Sequence, residues 1–290
     1  MMQPVMRLSD YEDAARYPAT VRSTTRLTPA AATEVRELVL EVARADFAWA
    51  VGQSIGVYAP APAGRGKSWH FRLYSVADLP AQGTAGTARL TICVRRCDGI
   101  DPYSGEAQAG VASHYLCDRR EGDAITIAGP FGIPFEVPEE HDATLVLIGS
   151  GTGIAPFRAF VRHLYRDVSD WRGRVWLLHG ARSGLELLYR NDERDDFAQY
   201  YDRGTFEAFS AVSRRPNWAD PIGWDDALKE RTAELWRMLG EPSTYVYVAG
   251  LESTRAELDR TLAAAAGSPQ RWARRRAELI AGGRWVELLY

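Results

Sequence analysis

Hydrophobic positions in the first half of the chain come in short runs, several of which alternate with polar positions. Stretches rich in Gly, Pro and Ala separate these runs. Runs of this length and spacing are typical of the strands of a β-barrel. We therefore predict a mainly β half whose strands lie at residues 35–42, 53–58, 72–76, 89–95 and 124–127.

The pattern changes after Pro138, where compact apolar runs are each followed by a longer segment with helical periodicity. The apolar runs lie at residues 144–148, 174–179 and 245–249, and the helical segments at 154–165, 185–200 and 253–266. Alternation of this kind indicates βαβ units and a parallel sheet. We predict an N-terminal arm at residues 1–25, which are polar and lack a clear period, a first domain at 26–138 and a second at 139–290.

The composition is that of a folded globular protein, because 46% of the 290 residues are hydrophobic and 25% are charged. A formal net charge of -3 gives no reason to expect nucleic acid or an anionic membrane as a partner. No segment approaches the ~20 apolar residues of a membrane span and no signal peptide is visible, so we expect a cytoplasmic protein. Cys93, Cys97 and Cys117 lack the spacing of metal sites, and we expect neither a metal nor a disulfide framework.

A glycine-rich turn, GSGTGIAP at residues 149–156, joins the first apolar run of the second half to its first helical segment. Glycines allow a sharp turn and the close approach of a pyrophosphate, and the following helix offers free N–H groups and the positive end of its dipole. Pro156 stands where the last glycine of the common G-x-G-x-x-G pattern would be. The position between strand and helix favours dinucleotide binding over a simple connection.

The tetrapeptide Arg72-Leu-Tyr-Ser75 carries three groups suited to a flavin. An arginine neutralises a pyrophosphate, a tyrosine stacks on the flavin ring, and a serine hydroxyl forms hydrogen bonds at the ring edge. Alternation along a strand places Arg72 and Tyr74 on one side and Ser75 on the other. For the tetrapeptide alone, a core tyrosine beside a solvated arginine is an equally open interpretation.

Further motifs follow in a fixed order between residues 51 and 290. They are GQSIGV (52–57), RLYSVA (72–77), CVRR (93–96), YLCD (115–118), GPFG (129–132), the segment 149–160, VSR (212–214), ELW (234–236), YVYVAGL (245–251) and the terminal Tyr290. With these motifs the chain resembles the plant-type ferredoxin–NADP(+) reductase family. The resemblance implies an N-terminal antiparallel β-barrel domain that binds FAD, followed by a Rossmann-like parallel-sheet domain that binds NADP(H).

In the first domain the resemblance implies a set of flavin-binding residues. Arg72 would contact the pyrophosphate, Tyr74 would pack on the ring, and Ser75 would lie near flavin N5 and the nicotinamide. The terminal Tyr290 would cover the other flavin face and move aside when the nicotinamide binds. The remaining contacts would come from Leu73, Cys93, Val94, Arg95, Gly110, Val111, Ala112 and Ser113, with Tyr103 stacking on the FAD adenine.

In the second domain the resemblance implies a dinucleotide site at the ends of parallel strands, where ligands of such sheets bind. Ser213 and Arg214 match the pair that binds the 2′-phosphate of NADPH, and Arg182 is a second candidate for a phosphate. A solvated surface charge is the alternative for each arginine. The residues that would shape the rest of the site are Gly151, Thr152, Gly153, Pro156, Gly250 and Leu251.

Three positions depart from the family pattern. The sequence PIGW at 221–224 stands where the family often has Lys and Tyr, so the stacking role of Trp224 stays open. Ala249 replaces the family's Cys beside the nicotinamide, and Leu288 replaces its near-terminal Glu. Glu287, displaced by one position, is the remaining candidate for the catalytic carboxylate.

The resemblance implies hydride transfer between the nicotinamide and flavin N5, with Ser75, Tyr290 and Glu287 as candidate catalytic residues, and then single-electron transfer to a protein carrier. The predicted carrier is ferredoxin or flavodoxin. One alternative is the reductase component of a multicomponent oxygenase, for example of the benzoyl-CoA epoxidase type. Another is a non-enzymatic flavin- or nucleotide-binding sensor. The basic residues Arg7, Arg16, Arg22 and Arg26 form either a docking patch for an acidic ferredoxin or a solvated arm.

Overall fold

The chain forms two compact units, Met1–Phe135 and Glu136–Tyr290, so the division lies three residues before the predicted boundary at Pro138. The structure is a computed structural model, and it describes residues 8–62, 68–83, 86–100, 107–190, 196–216 and 220–290.

The first unit consists mainly of antiparallel strands. Its strands are β1 (Arg16–Arg26), β2 (Val35–Val42), β3 (Ser54–Pro60), β4 (Trp69–Ser75), β5 (Ala81–Gln82), β6 (Ala88–Arg95), β7 (Asp98–Ile100), β8 (Ala107–Ala109) and β9 (Ala124–Phe131), and its helix is α1 (Val111–Cys117). Seven strands form one sheet in the order β4-β3-β9-β1-β2-β6-β5, and β7 pairs with β8 separately. All these pairings are antiparallel, which confirms the predicted antiparallel β domain in the first half of the chain.

Alternation along β2 and β6 explains how these strands close around a core. Leu38, Leu40 and Val42 of β2 pack in the same cluster as Leu90 and Ile92 of β6. The residues between them point to the other face of the sheet, because successive side chains of a strand alternate. Burying each of these aliphatic side chains contributes about 1.5–3 kcal/mol.

The predicted N-terminal arm is wrong for residues 16–25, which belong to β1. This strand pairs with β2 on one side and β9 on the other. Only Ala19 and Val21 of β1 are buried, and the register with β2 shifts between Val21 and Ser23, so the hydrophobic alternation is too weak to mark a strand. Arg22 pairs with Glu41, and Arg26 donates to backbone carbonyls, whereas Arg7 lies outside the described residues.

The second unit contains a five-stranded parallel sheet with helices, which confirms the predicted Rossmann-like class. The elements are β10 (Thr144–Ser150), α2 (Ala155–Arg166), β11 (Val175–Ala181), β12 (Phe206–Val212), α3 (Trp224–Leu228), α4 (Thr232–Met238), β13 (Thr244–Gly250), α5 (Glu252–Ala265), α6 (Pro269–Ala281) and β14 (Trp285–Leu289). The strand order is β12-β11-β10-β13-β14. Every neighbouring pair is parallel.

The helix predicted at residues 185–200 is not present in the described part of that segment. Two short 3₁₀ turns, Gly184–Glu186 and Phe197–Tyr200, occur there instead. Leu188 and Tyr189 between them are buried, and Tyr189 has a positive φ of 57°. A left-handed residue interrupts a right-handed helix, so the apolar positions are buried without helical structure.

Helices cover both faces of the parallel sheet. Val246 and Val248 of β13 pack in one cluster with Leu258 and Leu262 of α5. Tyr247 points to the other face, where its ring centroid lies 5.1 Å from that of Phe160 on α2. This alternation determines which face of the sheet each residue near the end of β13 lies on.

Within the described residues, no helix has the length and apolar character needed to cross a bilayer.

Candidate functional site

The glycine-rich turn lies at the carboxyl end of β10, as predicted. A 3₁₀ turn, Gly151–Ile154, follows β10 directly, and α2 begins at Ala155. A side chain at Gly153 would overlap the carbonyl oxygen of Ala249, so only glycine lets the turn approach the end of β13 this closely. Pro156 lies in the first turn of α2, where its missing N–H removes no intrahelical hydrogen bond. Its departure from the glycine pattern therefore leaves the helix start intact.

The end of β13 meets this turn and the end of the chain. Gly250 has a φ of 145°, and a side chain there would overlap the Ser150 hydroxyl. Tyr290 donates its N–H to the Gly250 carbonyl at 3.0 Å, and its hydroxyl lies 2.8 Å from the Thr152 hydroxyl. The structure thus brings together Thr152, Gly153, Gly250 and Tyr290. Leu251, the next predicted residue, is 52% exposed beside them.

The surroundings of Glu287 differ from those that its predicted catalytic role would require. In the register between β13 and β14, Val248 is opposite Glu287 and Ala249 is opposite Leu288. Because side chains alternate, Glu287 points to the face opposite that of Ala249. The replacement of the family's near-terminal Glu by Leu288 therefore leaves a hydrophobic residue beside Ala249.

On its face of the sheet, Glu287 accepts hydrogen bonds from three side chains. Arg276 donates to Oε1 at 2.6 Å, Trp285 Nε1 donates to the same oxygen at 2.6 Å, and Arg255 donates to Oε2 at 2.6 and 2.9 Å. Burial alone would raise the pKa of Glu287, but the hydrogen bonds from Trp285 and Arg276 lower it overall. An ionised carboxylate with its oxygens engaged is a poor proton donor, so these contacts do not favour the catalytic prediction for Glu287.

The predicted phosphate-binding pair follows β12. Ser213 is buried, and its N–H donates to the Arg182 carbonyl at 3.3 Å. Arg214 is exposed and donates to both carboxylate oxygens of Asp226, from Nε at 2.6 Å and from Nη2 at 2.5 Å. The hydrogen bond from Arg214 lowers the pKa of Asp226. The structure therefore places Ser213, Arg214 and the Arg182 backbone together, with a carboxylate that sequence reasoning did not anticipate.

Trp224 does not replace a stacking tyrosine. Its side chain is 1% exposed and packs in the core of the second unit with Leu228 and Leu235. A ring enclosed in this way has no free face for an adenine. The open question from the sequence is thus settled in favour of a core role.

In the first unit the residues 72–75 form the end of β4. Arg72 is exposed, and its Nη1 donates to the Phe71 carbonyl at 2.8 Å. Tyr74 is partly buried against the core cluster, and burial raises its pKa. Leu73 packs with a second, smaller cluster. The Ser75 hydroxyl lies 3.3 Å from the Ser54 hydroxyl of β3.

The end of β6 and the start of α1 carry the other predicted flavin contacts. Val94 is part of the core and Cys93 is buried, so these two offer backbone groups, while Arg95 Nη2 donates to Thr33 at 3.4 Å. The first intrahelical bond of α1 runs from His114 to Gly110. The N–H groups of its first turn therefore have no intrahelical acceptor. They belong to Val111, Ala112 and Ser113.

Sequence reasoning missed an ionic cluster beside this helix. His114 Nε2 lies 2.7 Å from an Asp98 oxygen, and Arg96 Nη1 lies 3.0 Å from His114 Nδ1. Arg96 also donates to Asp118 at 2.6 Å. The signal in the sequence was His114, four residues after Gly110. Helix α1 carries this histidine close to the end of β6. Tyr103, the predicted adenine contact, lies outside the described residues, among which no cluster of three metal-ligating side chains occurs.

The antiparallel β unit is followed in the chain by a parallel-sheet unit with a glycine-rich turn at a strand end, where dinucleotides bind in sheets of this class. Residues 147–256 match the family model described as oxidoreductase NAD-binding domain. The ferredoxin–NADP reductase of Spirulina sp. is 32% identical over 259 residues, which are 87% of each chain. The chain belongs to the ferredoxin–NADP reductase family, as its motifs predicted.

Other relatives extend the similarity. The ferredoxin–NADP reductase of Synechocystis sp. is 31% identical over 257 residues, which cover 87% of this chain and 62% of that relative. This chain thus spans less than two thirds of the length of some of its relatives. A solved structure of ferredoxin–NADP+ reductase from Plasmodium falciparum has a TM-score of 0.68 and 18% identity, covering 99% of this chain and 98% of that one. At this identity the likeness supports the fold alone.

Proposed function

We propose that the protein is an FAD-dependent oxidoreductase that transfers electrons between NADP(H) and a one-electron protein carrier. The observation that carries this proposal is the carboxyl edge of the parallel sheet, where Gly153 lets the turn after β10 pack against the end of β13 and Thr152 meets Tyr290. Ligands of open α/β sheets bind at this edge. Membership of the ferredoxin–NADP reductase family supports the reaction class.

The residues of the first unit fit a flavin dinucleotide. Arg72 is exposed and, within the described ranges, has no carboxylate partner, so its charge is available to a pyrophosphate. The N–H groups of Val111, Ala112 and Ser113, which have no intrahelical acceptor, are suited to the same anion. Tyr74 would supply an aromatic face and Ser75 a hydroxyl for the ring edge. FAD bound there would supply the ability to accept two electrons together and release them singly.

The second unit fits the nicotinamide dinucleotide. The turn Gly151–Ile154 offers backbone N–H groups at the end of β10, with Pro156 fixing the start of α2. Ser213 and Arg214 are the proposed contacts of the adenosine 2′-phosphate, and Arg182 reaches the same loop through its backbone. Tyr290 stays proposed as the aromatic residue that yields to the nicotinamide. Its hydroxyl bond to Thr152 would hold it until then.

No side chain is required to act as a strong acid or base. Glu287 is ionised and engaged by Arg255 and Arg276, and Leu288 offers no proton. The residues of the chain would bind, orient and exclude water around the cofactors. Ferredoxin is the proposed carrier, because the relatives are named for it. Flavodoxin and an oxygenase component are the alternatives, and a cytoplasmic location is part of the proposal.

Rapid-mixing spectroscopy tests this function directly. The FAD-loaded protein is mixed with NADPH or NADH without oxygen, and the flavin absorbance is followed before a [2Fe–2S] ferredoxin is added. We expect bleaching by at least one nicotinamide and recovery of the oxidised spectrum as ferredoxin is reduced. Bound flavin that neither nicotinamide bleaches would contradict the proposal and favour the sensor. Bleaching followed by transfer to flavodoxin but to no ferredoxin would change the proposed carrier.

A further inference from the structure

Arg214 is the proposed anchor for the 2′-phosphate, yet its guanidinium already holds an anion. Both of its donating edge atoms, Nε and Nη2, contact the two oxygens of Asp226 at 2.6 and 2.5 Å. This two-point geometry is the one an arginine uses for a phosphate. A phosphate that binds Arg214 in this way must first displace the Asp226 carboxylate.

The surrounding charges strengthen this competition. Asp225 lies 3.7 Å from Arg214, and Asp220 holds the neighbouring Arg215 at 2.8 and 3.0 Å. In the described part of the loop after β12 and in α3, three carboxylates thus lie near the two arginines, and Lys229 adds one further cation. A phosphate dianion placed here meets a cation that is already paired and several negative charges, so its net attraction is reduced.

Solvent exposure makes the arrangement accessible to a ligand. The side chains of Arg214 and Asp226 are 69% and 50% exposed, so the pair is not sealed in the core. In dinucleotide-binding folds an acidic residue at this part of the site hydrogen-bonds the ribose 2′-hydroxyl of NAD, whereas an arginine accommodates the 2′-phosphate of NADP. This chain places both residue types in direct contact.

We propose that Asp226 is a specificity-determining residue that holds Arg214 in an ion pair and so reduces the preference of this site for a 2′-phosphate over a 2′-hydroxyl. The inference rests on the proposed function, because it assumes that the second unit binds a nicotinamide dinucleotide. It names a residue outside the Ser213–Arg214 pair as the one that sets the choice. The unaltered protein is then expected to prefer NADPH over NADH by no more than about tenfold, or ~1.4 kcal/mol.

Calorimetric titration of two nucleotides measures the selectivity without any catalytic step. Adenosine 2′,5′-bisphosphate and AMP differ only in the 2′-phosphate, so the ratio of their affinities isolates its contribution. We expect the FAD-loaded protein to bind the two ligands with affinities within about tenfold. Asp226→Asn should raise affinity for the bisphosphate about fivefold, as expected for loss of one unit charge at ~4 Å in water. It should leave AMP affinity nearly unchanged.

Matched variants distinguish the effect of the Arg214–Asp226 ion pair from the general effect of removing one negative charge from the loop. Asp220→Asn removes the same charge from the carboxylate that pairs with Arg215, and we expect a smaller change in the affinity ratio. Arg214→Gln should lower bisphosphate affinity in the Asp226→Asn background. An unchanged ratio in Asp226→Asn, or equal effects of Asp226→Asn and Asp220→Asn, would overturn the proposal. If no variant binds either nucleotide, the proposed dinucleotide site of the second unit is itself wrong.

Discussion

Each unit presents an exposed arginine that sequence analysis assigned to a phosphate, and the two arginines have different neighbours. Arg72 donates to a backbone carbonyl and, in the part of the chain that the structure describes, pairs with no carboxylate. Arg214 is bound at two points by Asp226. Residue type indicates the capacity to bind a phosphate, whereas the neighbouring carboxylates decide how much of that capacity is available.

Substitution of the free arginine should have the largest effect. Arg72→Gln removes a positive charge that, among the described residues, pairs with no carboxylate, and charge-assisted hydrogen bonds contribute about 1.5–3 kcal/mol. We expect FAD affinity to fall by roughly tenfold to a hundredfold, measured by flavin fluorescence titration of the apoprotein. Arg44→Gln, which removes an exposed arginine paired with Asp46 in the same unit, is the control and should change little. Equal affinities in both variants would show that the free charge does not bind the flavin.

In the second unit, nucleotide binding is also expected to depend on the backbone geometry of the turn after β10. Gly153→Ala would push a methyl group into the Ala249 carbonyl, so we expect a loss of about 1–3 kcal/mol in unfolding free energy and weaker AMP binding. Urea unfolding and calorimetry measure the two effects. Gly184→Ala is the control, because a side chain there has open space. Unaltered AMP affinity in Gly153→Ala would show that this turn does not take part in nucleotide binding.

The unfolding free energy of the second unit should depend on pH through His179 of β11. Burial lowers the pKa of His179 to about 3, from an ordinary value of 6.5. Between these values the unfolded chain binds a proton that the folded chain does not, so unfolding free energy falls as the pH drops below 6.5. We expect the wild type to lose about 1 kcal/mol more than His179→Leu between pH 6.5 and 5.5, from urea unfolding at each pH.

Leu178 of the same strand supplies the control for this titration, since it is buried and carries no titratable group. Leu178→Val should lower the unfolding free energy at every pH and retain the slope of the wild type. Parallel stability curves for the wild type and His179→Leu would mean that His179 is protonated in the folded state.

The smallest change should follow removal of the charge of Glu287. Glu287→Gln keeps one oxygen that can accept the hydrogen bond from Trp285, but it removes the charge that pairs with Arg255 and Arg276. We therefore expect the unfolding free energy to fall by about 1 kcal/mol. The rate of flavin reduction should stay within about twofold, since the residue faces away from Ala249. Glu278→Gln on the exposed surface of α6 is the stability control. A large loss of rate with little loss of stability would restore a catalytic role.

Patterns with a strong physical cause were predictable from the sequence. The alternating runs at β2 and β6 and the glycine turn after β10 were found because burial and left-handed backbone require particular residues there. Strand β1 was missed because it buries only Ala19 and Val21. The segment at 185–200 has apolar residues that are buried by tertiary packing and not by helical periodicity.

The contacts of individual side chains were less predictable. The partner of Arg214 lies twelve residues further along the chain, after a loop whose course no local pattern specifies. The orientation of Glu287 depended on a single-residue register, which only the pairing of β14 with β13 determines. Trp224 carries both an aromatic face and a large apolar volume, and the packing of the finished core decided between them.

The position of β9 between β3 and β1 has a consequence for how the first unit reaches its native state. Its last strand in sequence is inserted between two early ones, at Ala124–Phe131 against Ser54–Pro60 and Arg16–Arg26. Contacts of such long sequence separation form slowly, and until they form β1 and β3 have open edges that can pair with other chains. A separately expressed first unit must therefore extend beyond Phe131, so that β9 covers the edges of both β1 and β3.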